Sequence, residues 1–199
     1  GCAIGNANEV VEAIETLAGN GPPDLVALVT ELGAEMLLMS GVASTREAAK
    51  SIITKNLANR KGLYKLAELI AAQGGNRDVI DNPDLLPQPA LKLEIASEIS
   101  GCVTAIDALG VGMASKILGA GRTSKDGAID LSIGIYLNKK IGDKVKSGEA
   151  LAVFHSDGDN EKIKAAKDTF LKAYAIRSDK GILPKILLAR ITRAGVEEL

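Results

Sequence analysis

The sequence predicts a fold of class α/β plus α+β, in which a helical first part is followed by a mixed part of strands and helices. Apolar residues recur at helical spacing through about the first 80 residues, whereas from Leu91 onward they alternate with polar residues. A polar, proline-marked stretch from Asn76 to Pro89 separates the two patterns. We therefore expect a domain boundary there, which divides the chain into residues 1–85 and 86–199.

Four helices are expected in the first part. Each carries an apolar stripe and is delimited by a capping residue, a proline or a glycine. Asn8 is expected to cap the first helix, and Ser44 with Glu47 forms a capping box for the third. The expected spans are residues 9–18, 25–40, 44–57 and 62–72.

The second part is expected to combine short strands with two helices. The alternation of Leu91, Leu93 and Ile95 with polar neighbours predicts a half-buried strand, and residues 102–106 are expected to be its partner. Small residues between Leu109 and Leu118 allow a closely packed helix. The other expected elements are a helix over residues 160–174 and strands over residues 129–137, 151–154 and 183–191.

Composition excludes several classes of function. The 24 Lys and Arg against 25 Asp and Glu leave a formal charge of −1, and only five residues are aromatic, so we expect no nucleic-acid partner. Neither a signal peptide nor an apolar run long enough to span a bilayer is visible, so no membrane partner is expected. The two cysteines make no disulfide framework, which favours a reducing, cytoplasmic location.

Three features have both a functional and a structural interpretation. Gly110 and Gly112 enter a helix, where backbone N–H groups could hold a phosphate, but a third glycine and a downstream acidic residue are missing, so close helix packing is favoured. His155 is the only histidine and could act as a general base, yet no neighbouring nucleophile with a third partner is evident, so a structural role is favoured. The Arg122 to Lys125 stretch follows a helix C-terminus, which disfavours phosphate and predicts a solvated turn.

The segment from Gly142 to Leu151 reads GDKVKSGEAL and resembles the GDxVxxGxxL turn and strand of biotinyl and lipoyl carrier domains. This resemblance implies a biotinyl-like barrel-sandwich within residues 86–199. Carriers present a lysine a few residues later, but residues 152–157 contain none. A non-catalytic biotinyl- or lipoyl-like scaffold or interaction module is therefore the alternative function for the chain.

Short segments spread over nearly the whole chain carry a second resemblance. In chain order they are Ala3-Ile4-Gly5-Asn6-Ala7, Glu9-Val10, Glu12-Ala13, Gly21-Pro22-Pro23-Asp24-Leu25, Ala71-Ala72-Gln73-Gly74-Gly75, Leu118-Gly119-Ala120-Gly121-Arg122, Ile129-Asp130, Ile133-Gly134 and the Gly142 turn. In this order they resemble the C-terminal part of the pyrimidine-nucleoside phosphorylase and thymidine phosphorylase family. Phosphoribosyltransferases share the helical plus α/β plan but lack an appended domain such as residues 91–199.

The resemblance implies a cytosolic homodimeric pentosyltransferase that catalyses reversible phosphorolysis. Inorganic phosphate, the co-substrate, attacks C1′ of a pyrimidine nucleoside such as uridine or thymidine, which gives free base and ribose or deoxyribose 1-phosphate. Residues 1–85 would be C-terminal helices of the family's α/β domain, and residues 86–199 its C-terminal α+β domain. The family's phosphate loop and base-recognising residues have no counterpart here, so no catalytic or cofactor-binding residue is assigned, and we expect a C-terminal fragment that is inactive alone.

The resemblance also implies a potassium ion as cofactor. Family members hold it through oxygens of the phosphate-loop region, the alanine carbonyl of the AIGN stretch and a glutamate nine residues on. The last two correspond to Ala3 and Glu12. A further ligand, a leucine carbonyl, would precede Gly1. Considered without the resemblance, Glu12 is an ordinary solvated glutamate near the start of a helix, where the helix dipole favours it.

Overall fold

The computed structural model describes residues 1–122 and 127–199 of the chain, so most of the predicted turn from Arg122 to Lys125 lies outside it. The described residues form two compact units. The helical unit comprises Gly1, Glu15–Lys65 and Pro184–Leu199, and the sheet unit comprises Cys2–Ile14 and Leu66–Leu183. The division into family domains at residues 85 and 86 stays a prediction.

Fifteen labelled helices and strands follow one another along the described part of the chain. In chain order they are β1 (Ala3–Ile4), α1 (Asn6–Leu17), α2 (Pro23–Met39), α3 (Arg46–Ala58), α4 (Lys61–Ala72), β2 (Leu91–Ala96), β3 (Gly101–Ile106), α5 (Ala108–Ser115), β4 (Gly134–Leu137), β5 (Lys144–Val145), β6 (Ala150–Ser156), α6 (Asn160–Lys172), β7 (Tyr174–Arg177), β8 (Ala189–Thr192) and β9 (Gly195–Glu198).

The four predicted N-terminal helices are present, but two begin differently from the prediction. Helix α1 starts at Asn6, so Asn8 lies inside it rather than at its cap. Helix α3 is capped by Thr45, whose hydroxyl oxygen accepts a hydrogen bond from Ala48 N at 3.2 Å, rather than by Ser44. In α3, the adjacent Ser44 and Thr45 can each serve as a cap, and the backbone geometry selects between them. In α1, the left-handed backbone of Asn6 starts the helix two residues before Asn8.

The helical unit is built on the neighbouring helices α2 and α3. Small buried residues bring them together: Ala34, Ala43 and Ala49 form an apolar cluster, and Gly33 faces Ile53 where a Cβ would meet its side chain at 2.9 Å. Strands β8 and β9 form a hairpin in the same unit. The sequence predicts a single strand over residues 183–191. The structure instead has the hairpin of β8 and β9, which starts at Ala189.

Two antiparallel sheets dominate the sheet unit. The first has the strand order β1-β4-β6-β2 and the second the order β5-β3-β7. The predicted pairing of residues 91–96 with residues 102–106 is wrong, because β2 pairs with β6 and β3 pairs with β5 and β7. Strand β7 was missed. The helix expected over residues 160–174 ends at Lys172, and β7 begins at Tyr174 and continues to Arg177.

One hydrophobic core serves both sheets and the helices α5 and α6. It includes Ile135 and Phe154 from the first sheet, Val103 from the second, and Phe170 from α6. The rings of Phe154 and Phe170 meet edge to face with centroids 5.4 Å apart. The mixed helix and sheet fold is thus confirmed, whereas the strands of residues 1–122 and 127–199 form no closed barrel.

Candidate functional site

The two residues assigned to a cation site lie together where β1 leads into α1. Glu12 Oε1 accepts hydrogen bonds from the backbone nitrogens of Cys2, at 2.6 Å, and Ala3, at 3.0 Å. One turn earlier, Glu9 Oε1 accepts from Gly5 N at 2.7 Å. Because residues three apart share a helix face, both carboxylates reach back from α1 to the strand that precedes it.

The direction of the Ala3 carbonyl follows from the pairing of β1 with β4. Leu137 N donates to Cys2 O at 2.9 Å, so Cys2 turns its carbonyl toward β4. Neighbouring residues of an antiparallel strand point their backbone groups to opposite sides, and Ala3 therefore directs its N–H and C=O away from β4. Since β1 is the edge of its sheet, this is the side on which the Glu12 carboxylate lies.

Tyr136 borders the same junction and was missed by the sequence analysis. It pairs with Ala3 across β1 and β4. Its pKa is raised, chiefly by burial and further by the nearby Cys2 thiol and Glu12 carboxylate. The phenol therefore stays protonated through the physiological pH range. No local pattern in the sequence predicts that Tyr136 pairs with Ala3.

The start of α1 is fixed by Asn6, also missed by the sequence analysis. Its backbone adopts a left-handed conformation with φ +49°, and its amide nitrogen contacts three backbone carbonyls. Asparagine is among the residues that tolerate this conformation best, so the Gly-Asn pair in the AIGN stretch is the one local signal that could have predicted a turn here.

Gly110 and Gly112 do not form a phosphate loop. Both lie inside α5, whose N-terminus is capped by the Asp107 side chain, which accepts from Leu109 N at 3.1 Å. A Cβ at Gly110 would come within 2.9 Å of the Ala173 Cβ, whereas one at Gly112 would meet nothing within 4 Å. Close packing therefore explains Gly110 alone.

His155 lies in β6, paired with Lys92 of β2 and Gly134 of β4. Burial, followed by the positive charge of Lys92, lowers the pKa of the imidazole, so the ring is neutral at pH 7. Strand β6, which follows the Gly142 turn, holds no lysine, so the attachment residue of a carrier domain is missing there.

No group of three or more His, Cys, Asp or Glu side chains is gathered as a metal site in residues 1–122 and 127–199. Over the same ranges, no helix combines the length and the apolar character needed to cross a membrane.

Comparison with known proteins relates the chain to one enzyme family. Residues 102–177 match the family model described as "Pyrimidine nucleoside phosphorylase C-terminal domain". A "Pyrimidine-nucleoside phosphorylase" of Staphylococcus haemolyticus is 45% identical over 160 residues, which cover 80% of this chain and 37% of that protein. One of Staphylococcus aureus is 46% identical over 157 residues, 79% of this chain and 36% of the relative.

These matches confirm the resemblance inferred from the sequence. The chain spans a little over a third of the length of the relatives that it matches. The matches do not favour the alternative of a carrier-like scaffold, because the matched proteins are named as phosphorylases.

Proposed function

We propose that this chain, which is related in sequence to the C-terminal part of pyrimidine-nucleoside phosphorylases, belongs to an enzyme that performs their reaction. That reaction is the reversible phosphorolysis of uridine- or thymidine-type nucleosides, with inorganic phosphate as co-substrate, to free base and ribose or deoxyribose 1-phosphate. The observation that carries the proposal is the 45% identity to a relative of that name over 160 residues. No residue of this chain is assigned to catalysis or to base binding.

The finer domain assignment is part of the proposal. Residues 1–85 are C-terminal helices of the α/β domain, and residues 86–199 form the C-terminal α+β domain with a biotinyl-like barrel-sandwich. Two features support the sandwich: one core is shared by the two sheets, and Gly142 and Gly148 adopt φ values of +97° and +85° in tight turns. Such values favour glycine, as the GDxVxxGxxL resemblance requires.

A potassium ion, bound through the Ala3 carbonyl and the Glu12 carboxylate, is proposed as the cofactor. The donor types fit, because potassium is a hard cation that takes oxygen ligands, carbonyls among them. The position of both groups on the free edge of β1 supports the assignment. When bound, the ion would supply positive charge that ties β1 to α1, while Glu12 Oε1 keeps its hydrogen bonds from Cys2 and Ala3.

The expected assembly and location rest on the family resemblance. We propose a homodimer in the cytoplasm for the protein of which this chain is part, with a pyrimidine nucleoside and phosphate as small-molecule partners. Light scattering behind size exclusion tests the dimer. A monomeric mass for the active protein would contradict it.

The function is tested by phosphate-dependent release of uracil or thymine, followed by absorbance. The chain alone is compared with the chain extended upstream to the length of its relatives. Activity in the extended protein alone is expected, since the phosphate loop and base-recognising residues have no counterpart in residues 1–199. If the extended protein releases neither base from uridine nor from thymidine, the proposed function is wrong.

A further inference from the structure

The Asn6 side chain connects parts of the sheet unit that are far apart in sequence. Its Nδ2 donates to the carbonyl oxygens of Ala120 at 3.1 Å, Asp130 at 3.3 Å and Ile133 at 3.1 Å. Because all three partners are acceptors, the nitrogen end of the amide must face them, and its two hydrogens serve three carbonyls. These partners lie 114 to 127 residues later in the chain.

The surroundings leave the Asn6 segment little freedom. Ala7 N donates to Leu131 O at 3.1 Å, beside the Asn6 contacts. A Cβ at Gly5 would approach the Ala120 Cβ to 3.2 Å, so the backbone before Asn6 is packed against the same region. The first residues of α1 are thereby held both by backbone contacts and by the Asn6 amide.

The orientation of α1 decides where the Glu12 carboxylate lies. Glu12 is six residues after Asn6 on the same helix, about 9 Å along the helix axis at the standard rise per residue. A tilt at the start of α1 therefore displaces the carboxylate from the Ala3 backbone. We infer that Asn6 is a positioning residue, which holds α1 in the orientation that keeps Glu12 over Ala3. For its functional consequence this inference rests on the proposed cation site.

Two substitutions separate the amide from the backbone conformation. Asn6→Gly keeps the left-handed conformation accessible but removes the amide. Asn6→Asp keeps the size of the side chain but turns a carboxylate oxygen toward three carbonyl oxygens. The matched control is Asn20→Gly, because Asn20 is exposed and its Nδ2 makes one long contact of 3.5 Å to Glu15.

The decisive readout is amide hydrogen exchange at Ala3, whose N–H donates to Glu12. In Asn6→Gly and Asn6→Asp we expect exchange at Ala3 to be at least about tenfold faster than in the unmodified chain, and we expect the same in Glu12→Gln. A tenfold change corresponds to about 1.4 kcal/mol. The amide of Ala152, at the centre of the first sheet, should keep its rate, and Asn20→Gly should change neither. Unchanged exchange at Ala3, or equal acceleration at Ala3 and Ala152, would overturn the inference.

A potassium titration of the melting temperature separates this inference from the proposed cofactor. It is made on the chain extended upstream to the length of its relatives, so that the further ligand expected before Gly1 is present in the unmodified protein and in each variant. If the unmodified chain responds to potassium, Asn6→Gly should need about ten times more of it for half the effect. An unchanged requirement would refute a role for Asn6 at the cation site. If the unmodified chain responds no more to potassium than to lithium, the proposed cation site fails, and exchange at Ala3 still decides whether Asn6 positions Glu12.

Discussion

Gly110 and Gly112 allow a sharp test of whether this helix is built for packing or for phosphate. They lie two residues apart in α5, in the same local secondary structure. A Cβ at Gly110 would lie 2.9 Å from the Ala173 Cβ and 3.0 Å from Asp107 Oδ2, whereas a Cβ at Gly112 has open space. Gly110→Ala and Gly112→Ala therefore differ in the contacts that the added methyl group makes.

The expected difference in stability follows from two opposing effects. Alanine in place of glycine inside a helix gains roughly 0.5–1 kcal/mol, and both variants share this gain. Overpacking costs about 1–3 kcal/mol, and only Gly110→Ala incurs it. We expect Gly112→Ala to stabilise the chain and Gly110→Ala to destabilise it, with a difference of about 2 kcal/mol between them.

Urea unfolding followed by circular dichroism measures this difference. Inorganic phosphate should affect the midpoints of the unmodified chain and both variants equally, because neither glycine binds it. A Gly110→Ala variant as stable as Gly112→Ala would refute the packing argument. A phosphate-dependent stabilisation that both substitutions abolish would restore the phosphate-loop interpretation.

Three further predictions concern charged groups. In the chain extended upstream to the length of its relatives, Glu12→Gln should raise the potassium concentration for half-maximal thermal stabilisation about tenfold, and an unchanged titration would contradict the cation site. Burial, followed by the charge of Lys92, lowers the pKa of His155, so below about pH 6.5 the unfolded chain binds a proton that the folded chain does not. The free energy of unfolding should therefore fall as the pH drops below about 6.5. His155→Gln should make this pH dependence shallower, as measured by urea unfolding between about pH 7.5 and about pH 5.5. Arg190 donates from Nε and Nη2 to Glu35 Oε2 at 3.1 and 2.8 Å. Arg190→Gln should lower the free energy of unfolding by about 1 kcal/mol, and Arg190→Lys should lower it less. Equal losses in the two variants would exclude the two-donor geometry.

Local patterns predicted the existence and order of the N-terminal helices, because apolar periodicity and helix-breaking residues act locally, although the starts of α1 and α3 were misplaced. Pro22 and Pro23 place the start of α2, and the glycines at 74 and 75 follow the end of α4. Strand pairing was less accessible. Strand β2 pairs with β6, so that Leu91 of β2 lies opposite Ser156 of β6. No local feature of the sequence distinguishes β6 from the nearer β3 as the partner of β2. The nearer strand was therefore chosen wrongly.

The candidate site was predictable only in part, for a similar reason. Ala3 and Glu12 were named from the family resemblance, and the structure brings them within hydrogen-bond distance. Asn6 and Tyr136 were missed because their partners come from distant segments, as far as Ile133 for the Asn6 amide. A side chain whose role is to join such segments leaves almost no periodic signal.

Phosphorus-31 NMR tests the proposal that this chain belongs to a phosphorolytic enzyme. The chain, extended upstream to the length of its relatives, is incubated with uridine and inorganic phosphate. We expect the phosphate signal to decline as a sugar 1-phosphate signal grows, with one uracil released for each phosphate consumed. Release of uracil without consumption of phosphate would identify a hydrolase and refute the proposed function, as would the absence of any reaction with uridine and thymidine.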